Sequence, residues 1–369
     1  MKKIEPRPCL EKITPYIPGK PIEEVERELE LAGVVKLASN ENPLGPSPLA
    51  LKAIKEHLPR VSLYPDGNCY YLREALAGKL GVQMDNIVVG NGADELISIV
   101  GRAYLNPGDE IIMGEPSFTE YDFCARLMDA VPIRVPLRDF RFDLQAMVGA
   151  VNDKTRIVFV CNPNNPTGTA VSHEELKLFL KGLPPGVLVV IDEAYYEYVS
   201  SPDYPRSLEL LAEGYNVLVL RTFSKIYGLA GLRVGYGIAP EAVVAALNRV
   251  REPFNVNALA QCAARAALRD DEHVRAGRRL NEEGKSYLEE EFRRLGFFFP
   301  PTETNFFFVE VGVDSRALFQ ALLRRGFIVR SGDIFGCPQF IRVSIGTGEQ
   351  NRRFIAVLEE TLKELAGTG

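Results

Sequence analysis

The run Val187-Leu188-Val189-Val190-Ile191 ends in Asp192-Glu193-Ala194-Tyr195, and a second such run, Val217-Leu218-Val219-Leu220, leads into Arg221-Thr222-Phe223-Ser224-Lys225-Ile226-Tyr227-Gly228-Leu229-Ala230-Gly231-Leu232-Arg233. Both runs are short, β-branched-rich and apolar at every position, the pattern of strands covered on both faces. Working outward, Ile87-Val88-Val89, Glu110-Ile111-Ile112-Met113, Arg156-Ile157-Val158-Phe159-Val160 and Val234-Gly235-Tyr236-Gly237-Ile238 repeat the pattern, alternating with amphipathic stretches. This alternation predicts an α/β domain of three layers, helices on both sides of a mostly parallel sheet. One helix start is well marked, because Ser172 and Glu175 form a capping box after the Pro166-Thr167-Gly168 turn.

Past Glu252-Pro253-Phe254 the texture changes. Long charged helical stretches, Asn257 to Leu268 and Glu272 to Leu295, precede the strand candidates Asn305 to Glu310, Phe327 to Arg330 and Phe340 to Ile345. The expected organisation is an N-terminal arm (1–48) packing with a smaller α+β domain (256–369), around a large domain (49–255). A chain of 369 residues suits about two domains.

Composition narrows the function. A net charge of -6 argues against nucleic acid or an anionic membrane as the main partner. No apolar run approaches the ~18 residues of a membrane span, and the charged, proline-broken start Met1 to Pro8 lacks the apolar stretch of a signal sequence. Six scattered cysteines without a C-x-x-C pair suggest reduced thiols, so cytoplasmic residence is expected. His57, His173 and His273 lie far apart and without ligand spacing, which speaks against a metal site.

In doubly wound sheets ligands bind beyond the carboxyl ends of the strands. Two strands therefore deliver Asp192 and Lys225 to one crevice. That pairing suits pyridoxal 5'-phosphate, which needs an amine to hold its aldehyde, an acid opposite its ring nitrogen, a phenol near its ring oxygen, and cations or amides around its phosphate. Lys225, Asp192, Tyr195 and the Ser224/Arg233 pair match these needs in order. Asp192 would favour the protonated ring nitrogen, and the freed Lys225 amine would move the substrate proton. Gly90-Asn91-Gly92-Ala93-Asp94-Glu95 opens a helix after a strand, so Gly92, Ala93 and Asp94, with Thr222, Ser224 and Arg233, form a candidate phosphate cup. Asn165, in Asn162-Pro163-Asn164-Asn165-Pro166-Thr167-Gly168, can donate to the ring oxygen that Tyr195 also serves. Aromatic cover for the ring comes from Glu115 to Tyr121, with Tyr121 the first choice and Phe118 the second. Read singly, each feature has a bland alternative: a strand-end carboxylate that caps a helix, a solvated lysine, a proline-stiffened turn.

Taken together the motifs resemble those of the fold type I aminotransferases, and within them the histidinol-phosphate aminotransferases. The supporting runs, in family order, are Thr14-Pro15-Tyr16, Leu37-Ala38-Ser39-Asn40-Glu41-Asn42-Pro43-Leu44-Gly45, Tyr64-Pro65-Asp66-Gly67, Gly92 to Glu95, Asn164 to Gly168, Asp192 to Tyr195, Ser224-Lys225 with Arg233, and Ile341-Arg342-Val343-Ser344-Ile345-Gly346. The resemblance implies a homodimer in which Tyr64 of one protomer reaches the other's cofactor phosphate. It also implies that Arg342 binds the substrate anion, assisted by Arg330, Tyr16 and Asn165. The implied substrates are histidinol phosphate and 2-oxoglutarate or glutamate, in histidine biosynthesis. A guanidinium fork suits either a phosphate monoester or a carboxylate. Three other readings stay open: an aromatic amino-acid aminotransferase, a lyase similar to threonine-phosphate decarboxylase, and a non-enzymatic regulator, for which the chain has no spare DNA-binding segment.

Overall fold

The computed structural model describes residues 4–13 and 19–367. Its strands are β1 (Val35–Lys36), β2 (Ile87–Gly90), β3 (Glu110–Glu115), β4 (Val131–Pro136), β5 (Thr155–Cys161), β6 (Leu188–Asp192), β7 (Val217–Thr222), β8 (Gly235–Ile238), β9 (Phe306–Glu310), β10 (Phe327–Ile328), β11 (Arg330–Ser331) and β12 (Phe340–Ser344). Seven of them form the large sheet, in the order β2-β8-β7-β6-β5-β3-β4. Neighbours are parallel except at β8, which runs antiparallel to both β2 and β7. Every residue of β2, β6, β7 and β8 is buried, as a sheet covered on both faces requires. The parallel arrangement brings the carboxyl ends of β2, β3, β5, β6 and β7 to one edge. There Cys161 pairs in register with Asp192, and Asp192 with Leu220.

The apolar-run pattern of the sequence does not extend to β4. It is an edge strand, largely exposed, that contains Pro132 and Pro136, so it carries neither the apolar run nor the unbroken backbone of a central strand. The Ser172 capping box is present, with the Ser172 hydroxyl accepting the Glu175 N–H at 3.3 Å and the Glu175 carboxylate accepting the Ser172 N–H at 2.7 Å.

A second apolar cluster joins β9, β12 and the helices Asp271–Arg294 and Gly348–Gly367 through Phe292, Phe307, Ile341 and Phe354. Val35 and Leu37 of the N-terminal segment belong to it, and β1 pairs in parallel with β10. The helix Ala258–Ala267 differs from expectation. Its alanines, Ala260, Ala263, Ala264 and Ala267, are buried in the large-domain core, where their short side chains let it pack closely on the helices Pro48–His57 and Tyr70–Leu80. The second apolar cluster takes its helices from Asp271–Arg294 onward. Among the described residues no helix is long and apolar enough to cross a membrane.

Candidate active site

The shared edge of strand ends opens into a cavity of about 440 Å³, walled by both domains and by the Ala38–Glu41 segment. Lys225, three residues beyond β7, reaches its floor, and Lys225 Nζ donates to the Ser39 carbonyl at 3.1 Å. Burial, helped by the nearby positive charge of Arg342, pulls the Lys225 ammonium down to about 8. An amine in that range carries a substantial neutral fraction near physiological pH, the form that attacks an aldehyde.

Asp192 ends β6 and lines the same cavity. Its Oδ2 accepts the Tyr121 hydroxyl at 2.8 Å and its Oδ1 accepts the Ala194 N–H at 3.1 Å. Burial drives the Asp192 carboxyl up to about 6, against the opposing effect of those two donors. No salt bridge reaches Asp192 among the described residues. A buried carboxylate with only neutral donors is costly until a cation joins it, so the position is suited to a protonated ring nitrogen.

Tyr195 and Asn165 stand on the cavity wall beside Lys225. Lys225 Nζ lies 5.5 Å from the centre of the Tyr195 ring. Burial raises the Tyr195 phenol well above its ordinary value, which keeps the hydroxyl protonated as a donor. The Asn165 side-chain oxygen accepts an N–H from Arg342 at 2.6 Å.

The expected anion cup is assembled where the helix Ala93–Tyr104 begins. Ala93, Asp94, Thr222, Ser224 and Arg233 all line the cavity. Gly92 precedes them with φ +87°, and a Cβ there would sit 2.6 Å from Arg233 Nη2, so only glycine lets the guanidinium lie against the helix start. Arg233 Nη1 is 3.4 Å from the Ser224 hydroxyl, and Nη2 pairs with Asp94 at 3.0 Å. Free helix N–H groups, a guanidinium and two hydroxyls make a phosphate-binding set.

On the opposite wall Arg330 and Arg342 are direct partners across the antiparallel β11–β12 ladder. Residues paired in this way project to the same face, and both guanidiniums line the cavity. Tyr16 lies outside the described residues. Tyr64 is not on this cavity wall; it is 84% exposed on the outer surface and stacks on Phe254 with ring centres 4.9 Å apart.

Tyr121 needs correction. Its ring is fully buried, stacked on Phe159 at 4.5 Å and edge-on to Phe118 at 5.7 Å, and its hydroxyl is spent on Asp192. It is therefore behind the cavity, holding the carboxylate, whereas Phe118 faces the cavity. The sequence reading also missed Ser39 and Asn40. They sit in the run Leu37 to Gly45, which supports the resemblance but, lying outside the strand-end pattern, points to no particular role for either residue. Among the described residues no group of three or more His, Cys, Asp or Glu side chains is placed to hold a metal ion.

Amine, cation-seeking carboxylate, phenol and anion cup share one cavity whose volume falls within the range of roughly 300–1,000 Å³ typical of small-molecule sites, so the residues fit pyridoxal phosphate. Comparison with known proteins agrees. The model of the family described as aminotransferase class I and II matches residues 32–358. The chain is 58% identical to histidinol-phosphate aminotransferase of Moorella thermoacetica, over 96% of this chain and 92% of that one. It is 50% identical to histidinol-phosphate aminotransferase 2 of Carboxydothermus hydrogenoformans, over 97% and 99%. The crystal structure of histidinol-phosphate aminotransferase from Sinorhizobium meliloti in complex with pyridoxal-5'-phosphate superposes with a TM-score of 0.90 at 28% identity, covering 97% of each chain.

Proposed function

The chain belongs to the aminotransferase class I and II family, with the fold type I architecture, and from that premise we propose that it exchanges the amino group of histidinol phosphate with 2-oxoglutarate, giving imidazole-acetol phosphate and glutamate. We place this reaction in histidine biosynthesis. Its cofactor is pyridoxal 5'-phosphate, which when bound supplies an electron sink conjugated to the carbon that loses its proton.

The residues divide the work. Lys225 would hold the aldehyde carbon and, with its amine free, would accept and return the substrate proton. Its depressed basicity suits it to both directions near neutral pH. Asp192 holds a proton at the ring nitrogen, and Tyr121 and the Ala194 N–H keep its carboxylate oriented. Tyr195 and Asn165 serve the ring oxygen, and Phe118 covers the ring. Arg233, Ser224, Thr222 and the first N–H groups of the helix Ala93–Tyr104 bind the phosphate.

The observation that carries the substrate reading is the Arg330–Arg342 pair, two guanidiniums on the wall facing Lys225. A phosphate monoester dianion uses two forks fully, and the carboxylates of glutamate use the same forks in the second half-reaction. The test is steady-state rates on histidinol phosphate, phenylalanine and tyrosine, each with 2-oxoglutarate. Histidinol phosphate should have the highest kcat/KM. A higher value for either aromatic amino acid, or decarboxylation of threonine phosphate without amino transfer, would overturn the reading.

The working unit we infer is a homodimer. Between residues 58 and 71 the side chains of Leu58, Val61, Leu63, Tyr64, Tyr70 and Tyr71 are exposed, more apolar surface than one short segment of a monomer ordinarily leaves in water. Tyr64 would there serve the cofactor phosphate of the opposite protomer, and a monomer by sedimentation would contradict this. The six cysteines are unpaired, which supports residence in the reducing cytoplasm.

A further inference from the structure

A phenol has one proton, so a tyrosine can serve the ring oxygen of a cofactor only if that proton is not spent elsewhere. The other polar neighbour of the Tyr195 hydroxyl is Asn40, whose Nδ2 lies 2.9 Å from it. Which end of that amide faces the phenol decides where the phenol proton goes. If the amide oxygen faced it, Tyr195 would donate to Asn40 and turn away from the cavity.

Ser344 settles the orientation. Its hydroxyl accepts the Asn40 backbone N–H at 2.9 Å and donates its own proton to Asn40 Oδ1 at 2.8 Å. No other acceptor for the Ser344 proton is present among the described residues. With Oδ1 occupied, the NH₂ end must point at Tyr195. The backbone is pinned as well: Asn40 has φ +57°, a left-handed conformation that asparagine tolerates better than most residues, and its carbonyl accepts Asn305 Nδ2 at 2.9 Å. Asn40, Ser344, Asn305 and Tyr195 are all buried, Asn40 to 1% exposure, so solvent does not compete for these bonds.

We propose that Asn40 and Ser344 are positioning residues that fix the polarity of the Tyr195 hydroxyl, Asn40 donating to the phenol oxygen so that the phenol's only proton is directed into the cavity, at the ring oxygen. The proposal rests on the reading of Tyr195 given above. Its placement adds a link between subsites. Ser344 stands two residues beyond Arg342 on β12, so both project to the same face, and the strand that presents a guanidinium to the substrate anion also orients the phenol at the cofactor ring. The charged and titratable groups around Tyr195 are Arg342, Asp192, Cys161, Lys225 and Tyr198, and none of them is altered in the variants below.

The experiment is a pH titration of the visible absorbance of the holoenzyme, which reports protonation of the lysine-bound cofactor without turnover. A hydrogen bond donated to the ring oxygen favours its anionic, high-pH form. Loss of the donor therefore raises the midpoint, by about 0.5–1 unit for one hydrogen bond. Tyr195→Phe sets the reference shift. Asn40→Gly, which keeps the left-handed backbone, and Ser344→Ala should each raise the midpoint in the same direction. In the Tyr195→Phe background Asn40→Gly should add nothing, because it acts through the phenol. Melting of the cofactor-free forms reports folding separately, and if Ser344→Ala does not fold, Asn40→Gly decides alone. An unmoved midpoint in folded Asn40→Gly, or a further shift in the double variant, overturns the proposal while leaving the reading of Tyr195 intact. An unmoved midpoint in Tyr195→Phe overturns both.

Discussion

Asp192 and Glu193 are adjacent buried carboxylates at the end of one strand, and their surroundings have little in common. Glu193 Oε2 is held by Arg221 through Nε at 2.9 Å and Nη2 at 2.8 Å, and Oε1 accepts the Ser207 hydroxyl at 2.6 Å. The Arg221 guanidinium in turn lies over the Tyr196 ring, 3.6 Å from its centre. Glu193 and Arg221 thus match each other's charge within the protein. Asp192, on the cavity side, receives only a phenol and an amide N–H. The contrast separates two uses of one residue class: a carboxylate whose cation comes from the chain is part of the fold, and one whose cation must come from outside is part of a site.

The largest effect is expected at the amine. Lys225→Ala should cut turnover by roughly 10³-fold or more, since one side chain is both covalent anchor and proton carrier. Normal rates in steady-state assays would refute that double role. The next is on the fold side of the pair. Glu193→Ala leaves Arg221 buried without its partner and should destabilise the cofactor-free protein by about 3–5 kcal/mol in denaturant titrations. A loss within experimental error would mean that Glu193 is no more structural than its neighbour.

Asp192→Asn should do the reverse, lowering kcat by roughly 10²-fold while leaving the cofactor-free protein as stable as before, or more so. The sign follows from linkage. Burial holds the folded-state carboxyl at about 6, above its ordinary value of 3.8, so the folded form binds the proton more tightly than the unfolded one. The corresponding stabilisation is complete below the ordinary value and is lost as pH rises from about 4 to about 6, up to about 3 kcal/mol for a shift of about two units. Denaturant titrations across that window should show a slope that Asp192→Asn reduces, the remainder coming from Glu197, whose carboxyl burial raises to about 7. Identical pH profiles would identify some other group as the uncompensated acid. The smallest effect is expected across the cavity, where Arg342→Ala should raise KM for both substrates by roughly 10–100-fold, the worth of a hydrogen-bonded charge. A change for one substrate alone would put the two anions in separate subsites.

Much of this was legible in the sequence, for a physical reason. Strands buried on both faces announce themselves as apolar runs, and a parallel sheet carries whatever follows each run to the same edge. Asp192 and Thr222 end β6 and β7, and Asn165, Ser224 and Lys225 follow β5 and β7 in that way, so their convergence needs no knowledge of packing. What was not legible depends on packing. Phe118 and Tyr121 are three residues apart near the start of the helix Glu120–Leu127, and only the depth at which that helix sits decides which ring faces the cavity. The helix Ala258–Ala267 has an alanine face that fits either domain by composition. Asn40 lies in the irregular segment between β1 and the helix Pro48–His57, and its role comes from contacts with Tyr195, Ser344 and Asn305, residues at least 155 positions away in the chain.

On this reading the ε-amine of Lys225, opposite Asp192, is the single covalent seat of the cofactor. Reduction of the pyridoxal phosphate-loaded protein with borohydride, followed by peptide mass mapping, tests it most directly. The added cofactor mass should appear on the peptide containing Lys225 and on no other in stoichiometric amount. Stoichiometric label on a different lysine, with Lys225 unmodified, would contradict it.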